Sequence, residues 1–151
     1  MNLEHEFSYS ADIQGPTAVG PGPLGDRNIF EIIGGKVIGG RLSGKLGTGG
    51  SDWILVGPDG YSRVDVRGTI ITDDGASIYM QILGVAENTD VAAAAISGEG
   101  PATQFEDHYI RVSLFLETGD PRYAWVNQTA FVGEVRILPT PGVECRVYRL
   151  T

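Results

Sequence analysis

The feature that most restricts the fold of this chain is a hydropathy period of two, repeated in segment after segment and punctuated by glycine. Near the N-terminus His5, Phe7, Tyr9, Ala11 and Ile13 alternate with Glu4, Glu6, Ser8, Ser10 and Asp12. Successive side chains of a strand point to opposite faces, so this spacing describes a strand with one buried face. Strand-like segments recur at Trp53 to Val56, Tyr61 to Thr72, Ala76 to Gly84, Tyr109 to Glu117, Arg122 to Val132, Glu134 to Leu138 and Val143 to Leu150. Asn28 to Ile33 closes on Gly34-Gly35, and Lys36 to Leu46 is broken by Gly39, Gly40 and Gly44, as at bulges or barrel corners. Pro58-Asp59-Gly60 and Asp73-Asp74-Gly75 read as turns, the second closing a hairpin. The stretch from Gly15 to Gly25 reads as a connector inside one domain.

These segments amount to about eight to ten strands with mostly short connections, the pattern of an up-and-down meander. A chain of 151 residues with 22 glycines then reads as one all-β domain over its whole length. Closure into an antiparallel barrel is expected, because it removes exposed strand edges. A two-sheet sandwich is the alternative. One segment departs from the pattern. Thr89-Asp90, the run Val91 to Ile96 and Gly98 supply a cap, helix formers and a C-terminal glycine. They predict at most one short helix, near residues 90–97, placed to cover the mouth of a barrel; a plain surface loop is the other reading.

Composition removes several functions. The net charge is −8 and the 11 basic residues are scattered, which excludes nucleic acid as a partner. No basic-then-apolar leader and no membrane-length apolar run is seen, so no membrane partner and a cytoplasmic location are expected. Cys145, the only cysteine, reads as a small buried hydrophobe in the last strand. His5 and His108 lack ligand spacing, so no metal site is expected. Asp107-His108 has no nucleophile elbow to serve, and His108 reads as an exposed loop residue. Gly39 to Lys45 fits the start of a phosphate loop, but Leu46 stands where Ser or Thr is needed and no helix pattern follows.

Parity supplies the candidate site. Arg63, Asp65, Arg67 and Thr69 share one strand face; Ser77, Tyr79 and Gln81 share another. Tyr123, Trp125, Asn127 and Thr129 group together, as do Arg111, Ser113 and Phe115. A wet outer face is one explanation. Large aromatics on otherwise polar faces suggest the other, a lumen lined by aromatic and polar groups.

Several stretches also resemble the domain of unknown function 3237 family, the UPF0311 proteins. They are Gly34-Gly35 with Gly39, Arg41-Leu42-Ser43-Gly44-Lys45, Gly49-Gly50-Ser51-Asp52-Trp53, and Asp65-Val66-Arg67. Thr72 to Tyr79, Phe115 to Gly119, Arg122 to Asn127, Phe131-Val132-Gly133 and Arg27 complete the match. Val112 and Leu114 depart from it, standing where the family often has Thr and Pro. The resemblance implies a small β-barrel similar to allene oxide cyclase and dirigent-type barrels, holding a small hydrophobic or phenolic molecule and often working without a cofactor.

Two functional readings follow. In the first, the chain is a cofactor-independent isomerase, cyclase or lyase, possessing Asp65 as proton acceptor, Arg67 and Tyr79 as stabilisers of a developing oxyanion, and Asn127 to orient the substrate. Trp53, Tyr123 and Trp125 would stack on the substrate, with Phe115 and Arg27 completing its surroundings. In the second, the same groups bind a small molecule without chemistry, and Asp65 with Arg67 forms a structural ion pair. A purely structural barrel predicts a plugged lumen. Apolar outer faces suggest a homodimer.

Overall fold

The computed structural model describes Met1–Thr151, and the alternating segments form nine antiparallel strands. These are β1 (Leu3–Gly22), β2 (Gly25–Gly39), β3 (Gly44–Leu46), β4 (Gly50–Val56), β5 (Tyr61–Thr72), β6 (Ser77–Glu87), β7 (Ile110–Glu117), β8 (Phe131–Leu138) and β9 (Gly142–Leu150). A short helix, α1 (Asp90–Ile96), lies between β6 and β7. The pairing closes on itself. β1 pairs with β9 on one side and β2 on the other, and β9 leads through β8, β7 and β6 to β5. β5 returns to β2 through β3 near one end and β4 near the other. The result is a closed antiparallel β-barrel.

Glycines allow β2 to change face. On β2, Asp12 of β1 faces Gly34 but Ile13 faces Ile32, so Ile33 is left over and points outward. The inward set therefore moves from Ile32 to Val37. Gly35 has φ +151°, and a Cβ there would lie 2.0 Å from the Ser10 carbonyl oxygen. A side chain at this position would force the two strands apart.

The barrel is solid at one end and hollow at the other. Phe7, Leu42, Ile70, Ile78, Leu116, Val126 and Phe131 have almost no accessible surface and fill the solid end. Burial of each such side chain is worth ~1.5–3 kcal/mol. Phe7 and Phe131 meet edge to face, with centroids 6.2 Å apart. Glu6, at a register slip on β1, is also buried there. Its carboxylate accepts a fork of two hydrogen bonds from Arg41 (2.8 and 2.7 Å) and faces Arg149 at 3.3 Å. Arg41 in turn stacks 3.8 Å above the Trp125 ring.

The structure corrects three expectations. Arg122 to Val132 is not one strand: Pro121–Gln128 is a kinked 3-10 helix, and β8 starts only at Phe131. Asp120 caps this helix by accepting the Arg122 N–H at 3.0 Å, and Pro121 opens it. The fold thus has two short helical elements rather than one. Gly15 to Gly25 is not a loose connector, because β1 and β2 run on as a projecting hairpin with Thr17 facing Ile29 and Gly22 facing Gly25. His108 is buried rather than exposed, with Nε2 2.7 Å from Thr103 Oγ1.

Around α1 the expectation holds. Thr89 Oγ1 accepts the Ala92 N–H at 3.2 Å, and Gly98 has the positive φ that ends a helix. Cys145 is buried as expected, and burial pushes its thiol up to about 12.

Candidate active site

The hollow end contains a cavity of about 410 Å³. Small side chains leave the space: Ala11 on β1, Ala86 on β6, and Ala92 and Ala93 on α1 all reach its wall. Helix α1 lies across this end and adds Ile96, so the segment between β6 and β7 covers the lumen. Of 23 lining residues 18 are hydrophobic, which makes the few polar ones conspicuous. They are Asp52 on β4, Ser62 on β5, and Glu87, Asn88 and Thr89 near the rim; Tyr9 on β1 adds a phenol.

Strand parity puts Asp52 inside. It shares a face with Ile54 and Val56, which also line the cavity, while Trp53 on the opposite face is 48% exposed. Directly across the ladders from Asp52 stand Phe30 on β2 and Val66 on β5, both in the wall. The β4–β5 register skips two pairs at this point. It includes Ser51 with Arg67 and Asp52 with Val66, then resumes at Leu55 with Arg63. In the gap, the Asp65 backbone N–H donates to Asp52 Oδ1 at 3.3 Å, and Arg27 Nη1 donates to the Trp53 carbonyl at 2.7 Å. Side chains thus satisfy backbone groups that the ladder leaves free.

Asp52 has no arginine or lysine partner. Burial raises its pKa from 3.8 to about 6; the Asp65 N–H opposes this rise and the Asp65 charge adds to it. Tyr9 is pushed the same way. Burial holds its phenol well above the ordinary value of 10, helped by Cys145 and Asp52 nearby. At neutral pH the lumen therefore presents an ionised carboxylate of unusual basicity and a phenol that keeps its proton. Two acidic groups whose environments fit them for opposite roles are the pattern of acid–base catalysis. At the rim, the Ser62 hydroxyl donates to Asn88 Oδ1 at 2.6 Å and Glu87 Oε2 accepts the Tyr109 N–H at 3.0 Å.

None of the nine site residues expected from sequence lines this cavity. Asp65 and Arg67 share a parity opposite to Ser62 and Val66, so their side chains lie on the outer face. Tyr79 is also outside, edge-on to Phe115, which is 54% exposed. Trp53 and Arg27 flank the same outer wall. Asn127 sits in the 3-10 helix and clips Thr118, accepting its N–H at 2.8 Å and donating to its carbonyl at 2.9 Å. Tyr123 is buried at the solid end, where its hydroxyl donates to Asp74 Oδ1 at 2.8 Å. Trp125 packs there between Arg41 and Phe131. The expected single lumen for these groups is therefore corrected. This barrel keeps its apolar faces inside, and the mixed faces lie on the outer wall.

Asp52 and Tyr9 were missed as site residues, although the sequence signals both. Each is a polar residue on an apolar parity set: Asp52 with Ile54 and Val56, Tyr9 with Phe7 and Ala11. No group of three or more His, Cys, Asp or Glu side chains is arranged to hold a metal.

The model of a family described as protein of unknown function (DUF3237) matches residues 1–150. A UPF0311 protein of Clostridium acetobutylicum is 34% identical over 133 residues, spanning 87% of this chain and 84% of that one. The crystal structure of a beta-barrel like protein from Acinetobacter baumannii superposes with a TM-score of 0.83 at 30% identity, covering 99% of this chain and 96% of that one. An enzyme from Penicillium herquei shares the fold at a TM-score of 0.72 and 20% identity, covering 99% and 94%.

Proposed function

The chain belongs to the DUF3237 family, and we propose that it is a cofactor-independent enzyme acting on a small hydrophobic or phenolic molecule held in the barrel lumen. The chemistry is proton transfer leading to isomerisation, cyclisation or elimination. One observation carries this reading: a carboxylate without a cationic partner, its pKa raised to about 6, faces an apolar cavity of about 410 Å³. That volume suits a small organic molecule. A base of this strength, ionised near neutrality and poorly solvated, abstracts protons more readily than a surface aspartate.

Asp52 takes a proton from a C–H or O–H of the substrate. Tyr9, still protonated, donates a hydrogen bond to the oxygen that gains charge. Asp52 then returns its proton to a different atom, or the new anion closes a ring or expels a leaving group. The Asp65 N–H steadies the carboxylate, so Asp65 serves through its backbone. The apolar wall excludes water, and α1 covers the end through which substrate passes.

The test uses 5-nitrobenzisoxazole, a neutral aromatic whose ring opening needs only a base. The rate is expected to rise with pH through about 6 and then level off, since Asp52 acts when ionised. Asp52→Asn is expected to lower it by ~100-fold or more. Equal rates for the two proteins at every pH refute the assignment. Tight binding without turnover identifies a non-catalytic binding barrel.

A further inference from the structure

Four shielded carboxylates elsewhere in the barrel have arginines beside them. Glu6 has Arg41 and Arg149, Asp120 has Arg122, Glu144 has Arg136, and Glu134 lies between Arg111 and Arg146. Asp52 is different. It has one backbone N–H at 3.3 Å, and no lysine, arginine or histidine lines the cavity it faces. The remaining polar lining offers no cation either. Ser62 and Asn88 are bonded to each other, and Glu87 is itself an acid.

We propose that the lumen binds hydrophobic amines as their ammonium ions, the N–H groups donating to the Asp52 carboxylate while the hydrocarbon body fills the apolar wall. This rests on the reading that the lumen is the ligand site, and it goes beyond the proton-transfer reading. Three features support it. Folding has already removed Asp52 from bulk water, so the cost of desolvating the anion is met before the ligand arrives. Phe30 stands directly across the β2–β4 ladder from Asp52, and Tyr9 lines the same cavity, giving the cation aromatic neighbours. Most of the remaining wall is aliphatic and selects against small hydrated ions such as ammonium itself.

Three probes of one shape separate charge from shape: 1-adamantanamine, 1-adamantanol and 1-adamantanecarboxylate, titrated calorimetrically at pH 7.5 into the wild type and Asp52→Asn. The amine is expected to bind the wild type ~10-fold or more tightly than the alcohol, the margin of a charge-assisted hydrogen bond over a neutral one. The carboxylate is expected to bind weakest. In Asp52→Asn the amine is expected to lose its advantage while the alcohol holds its affinity to within about threefold. Near-UV circular dichroism confirms that the variant is folded. An alcohol that binds the wild type as tightly as the amine overturns the proposal, as does an amine preference that survives in Asp52→Asn. Absence of binding by all three also overturns it. Each of these leaves the catalytic reading to be judged separately by benzisoxazole turnover. An amine preference without such turnover upholds the receptor and removes the base.

Discussion

Replacing Asp52 by asparagine is expected to stabilise the protein, and to do so more as pH rises. The sign follows from linkage. An acid whose pKa is higher in the folded state holds its proton longer there than in the unfolded chain. Its favourable contribution is complete below the unfolded value and is lost as pH rises through the folded one. For Asp52 these values are 3.8 and about 6. At about 1.4 kcal/mol for each pH unit between them, ionisation costs the wild type ~3 kcal/mol above pH 7. Asparagine keeps the shape and an oxygen that can accept the Asp65 N–H, but carries no charge to desolvate. The advantage of Asp52→Asn is therefore about 0.5 kcal/mol at pH 4, about 1.6 at pH 5 and about 3 at pH 8. For a chain of this size the last figure corresponds to a rise in Tm of roughly 6–12 °C. Calorimetric melting of both proteins across pH 4–8 measures the difference directly and needs no substrate. Melting temperatures that run parallel over this range would refute the claim that the carboxylate is desolvated, and the catalytic argument would lose its base.

The two ends of the barrel should respond differently to truncation. Ile78→Ala, at the solid end, is expected to cost ~3–4 kcal/mol, whereas Ile54→Ala, which enlarges an existing cavity, should cost ~1–2 kcal/mol by urea denaturation. Arg41→Met removes the fork on Glu6 and leaves Arg149, an expected loss of ~2–3 kcal/mol at pH 7. Because Arg41 holds the Glu6 carboxyl below its ordinary 4.5, the stability it lends is present above that value and lost as pH falls through the folded one. The gap between Arg41→Met and the wild type should therefore narrow toward pH 3 in the same assay; a gap of constant size contradicts the ion-pair account.

The tightly sized, apolar lumen also explains which parts of this protein were legible in its residues. Sets such as Phe7, Tyr9, Ala11 and Ile13 reveal strands because a barrel buries every second side chain, whereas Gly34-Gly35, read as the end of a segment, lies inside β2, where a Cβ at Gly35 would strike the Ser10 carbonyl. The segment after Asp120 misleads because alternating aromatics satisfy a 3-10 helix packed over a barrel end as well as they satisfy a strand. Asp120-Pro121, a cap followed by a residue without an N–H, was the contrary signal. The hairpin from Gly15 to Gly25 misleads in the opposite way, since backbone pairing between β1 and β2 sustains strands whose side chains are mostly exposed.

Inside and outside were confused for a single reason. Polar–aromatic faces look like binding surfaces, yet on a closed sheet the face with more polar residues is the one that meets water. An active lumen in such a barrel is marked by a charged residue set among aliphatic ones, away from the polar rim, because that residue bears a desolvation cost that stability alone would not select. Asp52, between the apolar positions of β4 and opposite Phe30 and Val66, bears that cost. The presence of aspartate at a position where asparagine is expected to be more stable is what makes a chemical role the economical explanation.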